Sequence, residues 1–110
     1  MLQGLQTDLL SVIDTAPFGF CLVGGSDYSV IYANPAFGPL IGYRGIIHNY
    51  PLASFLGPEL ERVLHNHPRS FEQDVVLQIE GRYERWLRVK GELMTYNGVP
   101  SYALWFIDTT

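Results

Sequence analysis

Ile31-Tyr32-Ala33-Asn34-Pro35-Ala36-Phe37, followed by Ile41-Gly42-Tyr43, holds the sharpest local signal in this chain. Asn is among the best helix N-caps, because its side chain accepts from a free backbone N–H. Pro at the first helical position gives up no hydrogen bond. The stretch therefore predicts a strand that ends at Ala33 and a short helix from Pro35 to about Ile41. That helix buries Phe37 with Leu40 or Ile41 and stops at Gly42. Asn34 is expected to be a structural cap that pins the helix to the strand before it.

Working toward the N-terminus, Tyr28 to Ala33 reads as one strand and Phe18 to Val23 as another, joined by a Gly24-Gly25-Ser26-Asp27 turn. Because neighbours in a strand alternate, Cys21 should share a face with Val23, away from Phe20 and Leu22. Leu2, Leu5, Leu9 and Val12 recur at alternating spacings of three and four, with Ile13 beside them. This is an amphipathic helix from about Gln3 to Asp14, ended by the Ala16-Pro17 step. The expected organisation is an N-terminal amphipathic helix over 1–16 and one domain over 17–110.

Toward the C-terminus, one helical turn is expected around Leu52 to Leu56. A further helix opens at Pro58-Glu59 with Leu60, Val63 and Leu64 on one face, and Pro68 ends it. The remaining residues read as strands. Phe71, Val75, Leu77 and Ile79 alternate with polar residues, Gly81 marks a turn, and Tyr83 to Met94 forms a long strand. Asn97-Gly98 is the favoured pair for a two-residue type I′ hairpin leading into Val99 to Ile107. That turn fixes a register: Tyr96 faces Val99, Leu93 opposes Tyr102, Gly91 opposes Leu104 and Val89 opposes Phe106. Those residues form the core face. Trp86, Arg88, Lys90, Ala103, Trp105 and Ile107 share the other face, which is too apolar to leave uncovered. Without βαβ alternation, the class is an antiparallel α+β domain.

Composition narrows the functions. The chain has 110 residues, a net charge of −4 and no Lys/Arg run, so neither nucleic acid nor direct membrane contact is expected. No stretch approaches the ~20 apolar residues of a bilayer span. A lone cysteine, Cys21, leaves no internal disulfide and points to a reducing cytosol, or to the cytosolic part of a membrane-bound receptor.

The Asn34-Pro35 stretch with Ile41-Gly42-Tyr43 resembles the PAS family signature, in which a strand ends in an Asn that caps a short helix and a Gly-Tyr or similar pair follows. Phe55-Leu56-Gly57-Pro58-Glu59 resembles that family's entry into its long helix. Glu80-Gly81-Arg82 with Arg85-Trp86-Leu87 is similar to its third-to-fourth strand turn, and Asp108-Thr109-Thr110 to its closing Asp-x-Thr. The resemblance implies a five-stranded antiparallel sheet cupping a small pocket under short helices on one face, with an N-terminal flanking helix. It implies a bacterial-type sensor or dimerisation module that signals to a kinase, diguanylate cyclase or DNA-binding domain in the same chain. The output domain is expected to follow Thr110.

The expected pocket is lined by Phe20, Leu22, Tyr32, Phe37, Leu52, Phe55, Leu64, Leu77, Leu87, Val89, Leu104 and Phe106, and suits a small apolar ligand. No cofactor is expected. Light-sensing members carry a Gly-x-Asn-Cys-Arg-type motif beside flavin, which is absent here. Haem-binding members place an axial His on the long helix, where His65 and His67 lie. His65 falls on the polar face and Pro68 ends the helix at His67, so both read as solvated histidines. No triad, phosphate loop or zinc set is present. The alternative, a small α+β enzyme of cone-shaped fold acting on an apolar molecule, needs a carboxylate buried in the cavity. A homodimer is expected, with Leu2, Leu5, Leu9 and Val12 packing against an outer sheet face that carries Trp86 and Trp105.

Overall fold

A computed structural model of the chain describes residues 11–79 and 81–110. Residues 11–14 are helical and lead into β1 (Gly19–Gly24) and β2 (Val30–Ala33). Three short helices follow, α1 (Phe37–Ile41), α2 (Ala53–Leu56) and α3 (Glu59–His65), then β3 (Ser70–Ile79), β4 (Tyr83–Tyr96) and β5 (Val99–Asp108). The strands form one antiparallel sheet in the order β2-β1-β5-β4-β3, so the last strand of the chain lies beside the first.

The β4–β5 register is the one its turn dictates. Asn97 and Gly98 both take positive φ, +52° and +78°, as a type I′ turn requires. Tyr96 pairs with Val99, Leu93 with Tyr102, Gly91 with Leu104 and Val89 with Phe106. Leu87, Val89, Tyr102, Leu104 and Phe106 are fully or almost fully buried, packed with Leu52, Leu56, Leu60 and Leu64 from the helical side. At the end of α1, Gly42 takes φ +72° and its N–H bonds back to Pro39 O and Gly38 O.

β1 faces the opposite way from the sequence expectation. It pairs with β5 so that Cys21 lies opposite Leu104 and Leu22 opposite Ala103. Opposed residues share a face, so Cys21 and Val23 join the main core, while Phe20 and Leu22 pack with Ala103 and Trp105 on the outer face. An uninterrupted apolar run offers no periodicity from which to choose its inward side.

Asn34 also departs from expectation. α1 begins at Phe37, its N-cap position is Ala36, and no side chain caps it. Asn34 is buried, 2% exposed, and its side chain turns to the strand side. Oδ1 accepts from Phe20 N–H at 2.9 Å, while Nδ2 donates to Ile13 O at 3.0 Å and Phe18 O at 2.9 Å. Only its backbone carbonyl serves the helix, accepting from Phe37 N–H at 3.0 Å. Asn34 thus ties the chain's entry to β1 and hands α1 its starting point.

Candidate functional site

The helix-facing core is the first candidate. Phe37, Leu52, Leu64, Leu77, Leu87, Val89, Leu104 and Phe106 are brought together in one buried cluster, with Phe55 packed at its rim. The Phe37 and Phe106 rings meet at a tilt of 59°, with centroids 5.0 Å apart. Phe20, Leu22 and Tyr32 are not part of it; they lie on the outer face, where Leu22 pairs with Tyr32. The Tyr32 hydroxyl is buried there without a hydrogen-bond partner among the described residues.

Two tyrosines that the expected lining lacked supply polar atoms to the inner core. Tyr102, 1% exposed, donates its hydroxyl to Pro68 O at 2.9 Å. Tyr28 is buried, takes φ +57° and sets its hydroxyl 3.5 Å from His65 Nδ1. Burial pushes both phenols above their ordinary range; Glu61 adds to the effect at Tyr28, and Tyr28 at Tyr102. Burial likewise pushes the Cys21 thiol up, so it sits in the core as a small apolar group. Apart from these tyrosines, the buried polar side chains among the described residues are Asn34 and Ser101, and no described carboxylate is buried. The core therefore presents an apolar surface broken by two phenol hydroxyls and one protonated thiol.

The histidines lie at the surface of that core, His65 meeting it at the edge of Tyr28. α3 ends at His65, and His67 follows in the left-handed region, φ +50°; both are exposed. No group of three or more His, Cys, Asp or Glu among the described residues is placed to hold a metal ion.

The outer sheet face is the second candidate. Phe20, Leu22 and Ala103 are packed under Ile13, Phe18, Ile31, Tyr32, Met94, Tyr96 and Trp105. Val76 pairs with Trp86, and Trp86 (50% exposed), Val76 and Ile107 form an apolar patch that no other described residue covers. An ionic ladder crosses the same face: Arg88 to Asp74 at 3.1 Å and Lys90 to Glu72 at 3.7 Å. A groove of about 720 Å³ runs beside it, with Phe18, Phe71, Trp105 and Ile107 in its walls. Of the expected interface stripe, Val12 is 68% exposed, and Leu2, Leu5 and Leu9 lie outside the described residues.

Sequence reasoning missed one connected residue, Arg85, although it quoted the Arg85-Trp86-Leu87 stretch. Its guanidinium reaches Pro39 O, Leu40 O, Tyr83 Oη and Asp108. Alternation on β4 already put Arg85 on the core face beside Leu87, an odd place for an unpartnered charge, and that was the available signal.

A family profile described as a PAS domain matches residues 8–81. No curated protein sequence matches the chain. Among solved structures it is similar to the PAS domain of an HTR-like protein from Haloarcula marismortui, with TM-score 0.76 and 11% identity over 97% of this chain and 93% of that one. It is also similar to a PAS domain from a two-component sensor histidine kinase, with TM-score 0.75 and 9% identity over 97% and 99%. A third is the PAS domain of nitrogen regulation protein NR(II) from Vibrio parahaemolyticus, with TM-score 0.70 and 17% identity over 89% and 94%.

Proposed function

This chain belongs to the PAS domain family, a family of non-catalytic sensory modules, and we propose that it serves as the sensor of a larger signalling protein of the two-component kinase or diguanylate cyclase type. In this reading residues 1–16 are the entry helix, residues 17–110 the sensing domain, and the output domain follows Thr110 in the cytosol. The observation that carries it is the enclosed cluster between sheet and helices, which is apolar apart from the Tyr28 and Tyr102 hydroxyls.

That environment favours a small apolar or aromatic ligand bound without a metal, inserted among Phe37, Leu52, Leu64, Val89, Leu104 and Phe106. The alternative, a cone-shaped enzyme, needs a carboxylate buried in the cavity, and the described carboxylates all lie outside the core. The test is an absorption spectrum of the purified protein with mass spectrometry of its extracted contents. A Soret band would overturn the metal-free reading, and flavin absorption would reopen the redox or light-sensing one.

A second reading rests on a different observation, the half-exposed Trp86 beside Val76 and Ile107. It is that two copies pair through this face and their N-terminal helices, with Leu5, Leu9 and a tryptophan at the centre of the interface. Light scattering should give about twice the monomer mass at micromolar concentration, and Leu9→Glu should halve it. A monomer at high concentration, or a dimer indifferent to Leu9→Glu, would end this reading.

A further inference from the structure

The last carbonyls of a helix have no partner within the helix, and an arginine is the side chain best built to serve them from outside. Arg85 does this for α1. Nη1 donates to Leu40 O at 2.6 Å and to Pro39 O at 3.1 Å, both in the final turn. Nη2 donates to Tyr83 Oη at 3.0 Å, and Nε lies 3.6 Å from Asp108 Oδ2. The fork is therefore shared between the end of a helix that closes the core and the end of the last strand. The Arg85 side chain is 20% exposed and the Asp108 side chain 43%. An isolated pair at that exposure would contribute little. The simultaneous use of Nε and both terminal nitrogens across two elements sets this one apart.

Each end of the bridge is itself held. Asp108 Oδ1 accepts from Thr110 N–H at 2.9 Å, and Trp86 N–H donates to Thr110 Oγ1 at 3.0 Å. Trp86 O accepts from Thr109 N–H at 2.8 Å. At the other end, Pro39 O, one of the two carbonyls that Arg85 contacts, also accepts from Gly42 N–H, and the neighbouring Gly38 O accepts from Tyr43 N–H to close the α1 turn. Phe37, at the start of α1, packs at a tilt against Phe106 on β5's buried face, two residues before Asp108. A shift of α1 at the core thus moves the carbonyls that fix Arg85, and Arg85 fixes the carboxylate that organises residues 108–110.

We propose that Arg85 is a coupling residue, which links the C-terminal turn of α1 to the Asp108-Thr109-Thr110 exit so that neither rearranges without the other. The use of this link to carry a signal rests on the sensory reading; the coupling itself does not.

Amide exchange measured by NMR on the chain as it stands tests it, because both ends carry reporter N–H groups. Asp108→Asn should accelerate exchange at Gly42 and Tyr43, and Gly42→Ala, which strains the α1 cap, should accelerate it at Thr109 and Thr110. Coupling is reciprocal, so the two cross-effects should match, at about fivefold or more. In an Arg85→Gln background both should vanish. If Asp108→Asn disturbs only Thr109 and Thr110 and changes Gly42 and Tyr43 by less than about twofold, the bridge is two unconnected contacts and the proposal fails. Should Arg85→Gln not fold, the matched cross-effects of the two single variants still decide. The experiment needs neither ligand nor output domain, so its failure leaves the sensory reading standing, and an extract without ligand leaves the coupling standing.

Discussion

Asn34 Oδ1 accepts the backbone N–H of Phe20 at 2.9 Å, and the other half of the same amide donates to Ile13 O and Phe18 O. One buried side chain thereby satisfies a donor and two acceptors where the entering segment bends into β1. An N-cap lost from a helix costs about 1 kcal/mol. Asn34→Ala does more, because it leaves the Phe20 N–H, itself in a buried residue, with no partner. The expected loss is about 3 kcal/mol, or on the order of 15 °C in the thermal midpoint of a domain this size. Asn34→Asp should be at least as damaging, since a carboxylate would face the two carbonyls that the amide now serves. Circular dichroism melts of both variants check this, and a loss of about 1 kcal/mol or less for Asn34→Ala would show the network to be dispensable.

This site also shows how far the sequence could be read. That Asn34 is structural was legible only as a helix cap, and that role its side chain does not take. Its partners were not, because they sit in Ile13, Phe18 and Phe20, and only the fold brings those backbone atoms together. The β4–β5 register was legible to the residue, since a two-residue type I′ turn leaves no freedom in pairing. The facing of β1 was not, since Phe18 to Val23 are apolar throughout and only the pairing of Cys21 with Leu104 decides it. Phe20, Leu22 and Tyr32 left the expected pocket for that reason alone. Phe37, Leu52, Leu64 and Val89 were legible as core because helical and strand periodicity agreed on them.

Phe71 on β3 lies directly opposite Gly91 on β4, and its ring occupies the space where a side chain on Gly91 would stand. A Cβ on Gly91 would meet the Phe71 ring and also Leu104 Cδ2, at 2.9 Å. Gly91→Ala should therefore destabilise by about 2 kcal/mol, as overpacking does. The cost should fall below about 0.5 kcal/mol in a Phe71→Ala background, where the new methyl has room. Denaturant midpoints of the two single variants and the double variant measure the coupling. Equal costs of Gly91→Ala in both backgrounds would mean that Leu104, not Phe71, sets the constraint.

Cys21 is fully buried between Phe20 and Leu22 on a central strand, and burial raises its thiol well above the ordinary value. Thiolate is the reactive form, so both access and ionisation oppose modification of the folded protein. Alkylation of the native chain should proceed only as fast as it unfolds, and at least roughly a thousandfold slower than in denaturant. Rapid labelling under native conditions would show that β1 opens locally.

The exit segment should respond to acid. The Asp108 carboxyl is held below the usual range chiefly by the side-chain and backbone hydrogen bonds of Thr110, with Arg85 adding to the effect. A carboxyl depressed in the folded state contributes stability above its unfolded value, about 3.9, and loses it as pH falls through the folded value. The Thr110 N–H shift should thus stay constant from neutral pH to about 4 and move only below it. Asp108→Asn should abolish that movement. A Thr110 shift that titrates above about pH 5 would contradict the assignment.

At the other end of the scale Tyr102 and Tyr28 set the limit. Their phenols are raised mainly by burial, and a phenolate at either place would lie in the apolar core. A group whose folded value is raised contributes its stability below the unfolded value, about 10, and loses it as pH rises through the folded value. The domain should therefore keep its melting temperature up to about pH 10 with respect to these two groups and lose it steeply above. Tyr102→Phe separates two effects. It removes the bond to Pro68 O, which should cost about 1 kcal/mol at neutral pH. It also removes one ionisation, which should flatten the alkaline fall. Thermal melts of the parent and of Tyr102→Phe at pH 7 and at about pH 11 read both effects. If the variant loses as much stability at high pH as the parent does, Tyr102 titrates alike in the folded and the unfolded chain and contributes nothing to the fall. The alkaline limit would then belong to Tyr28 beside His65 and Glu61.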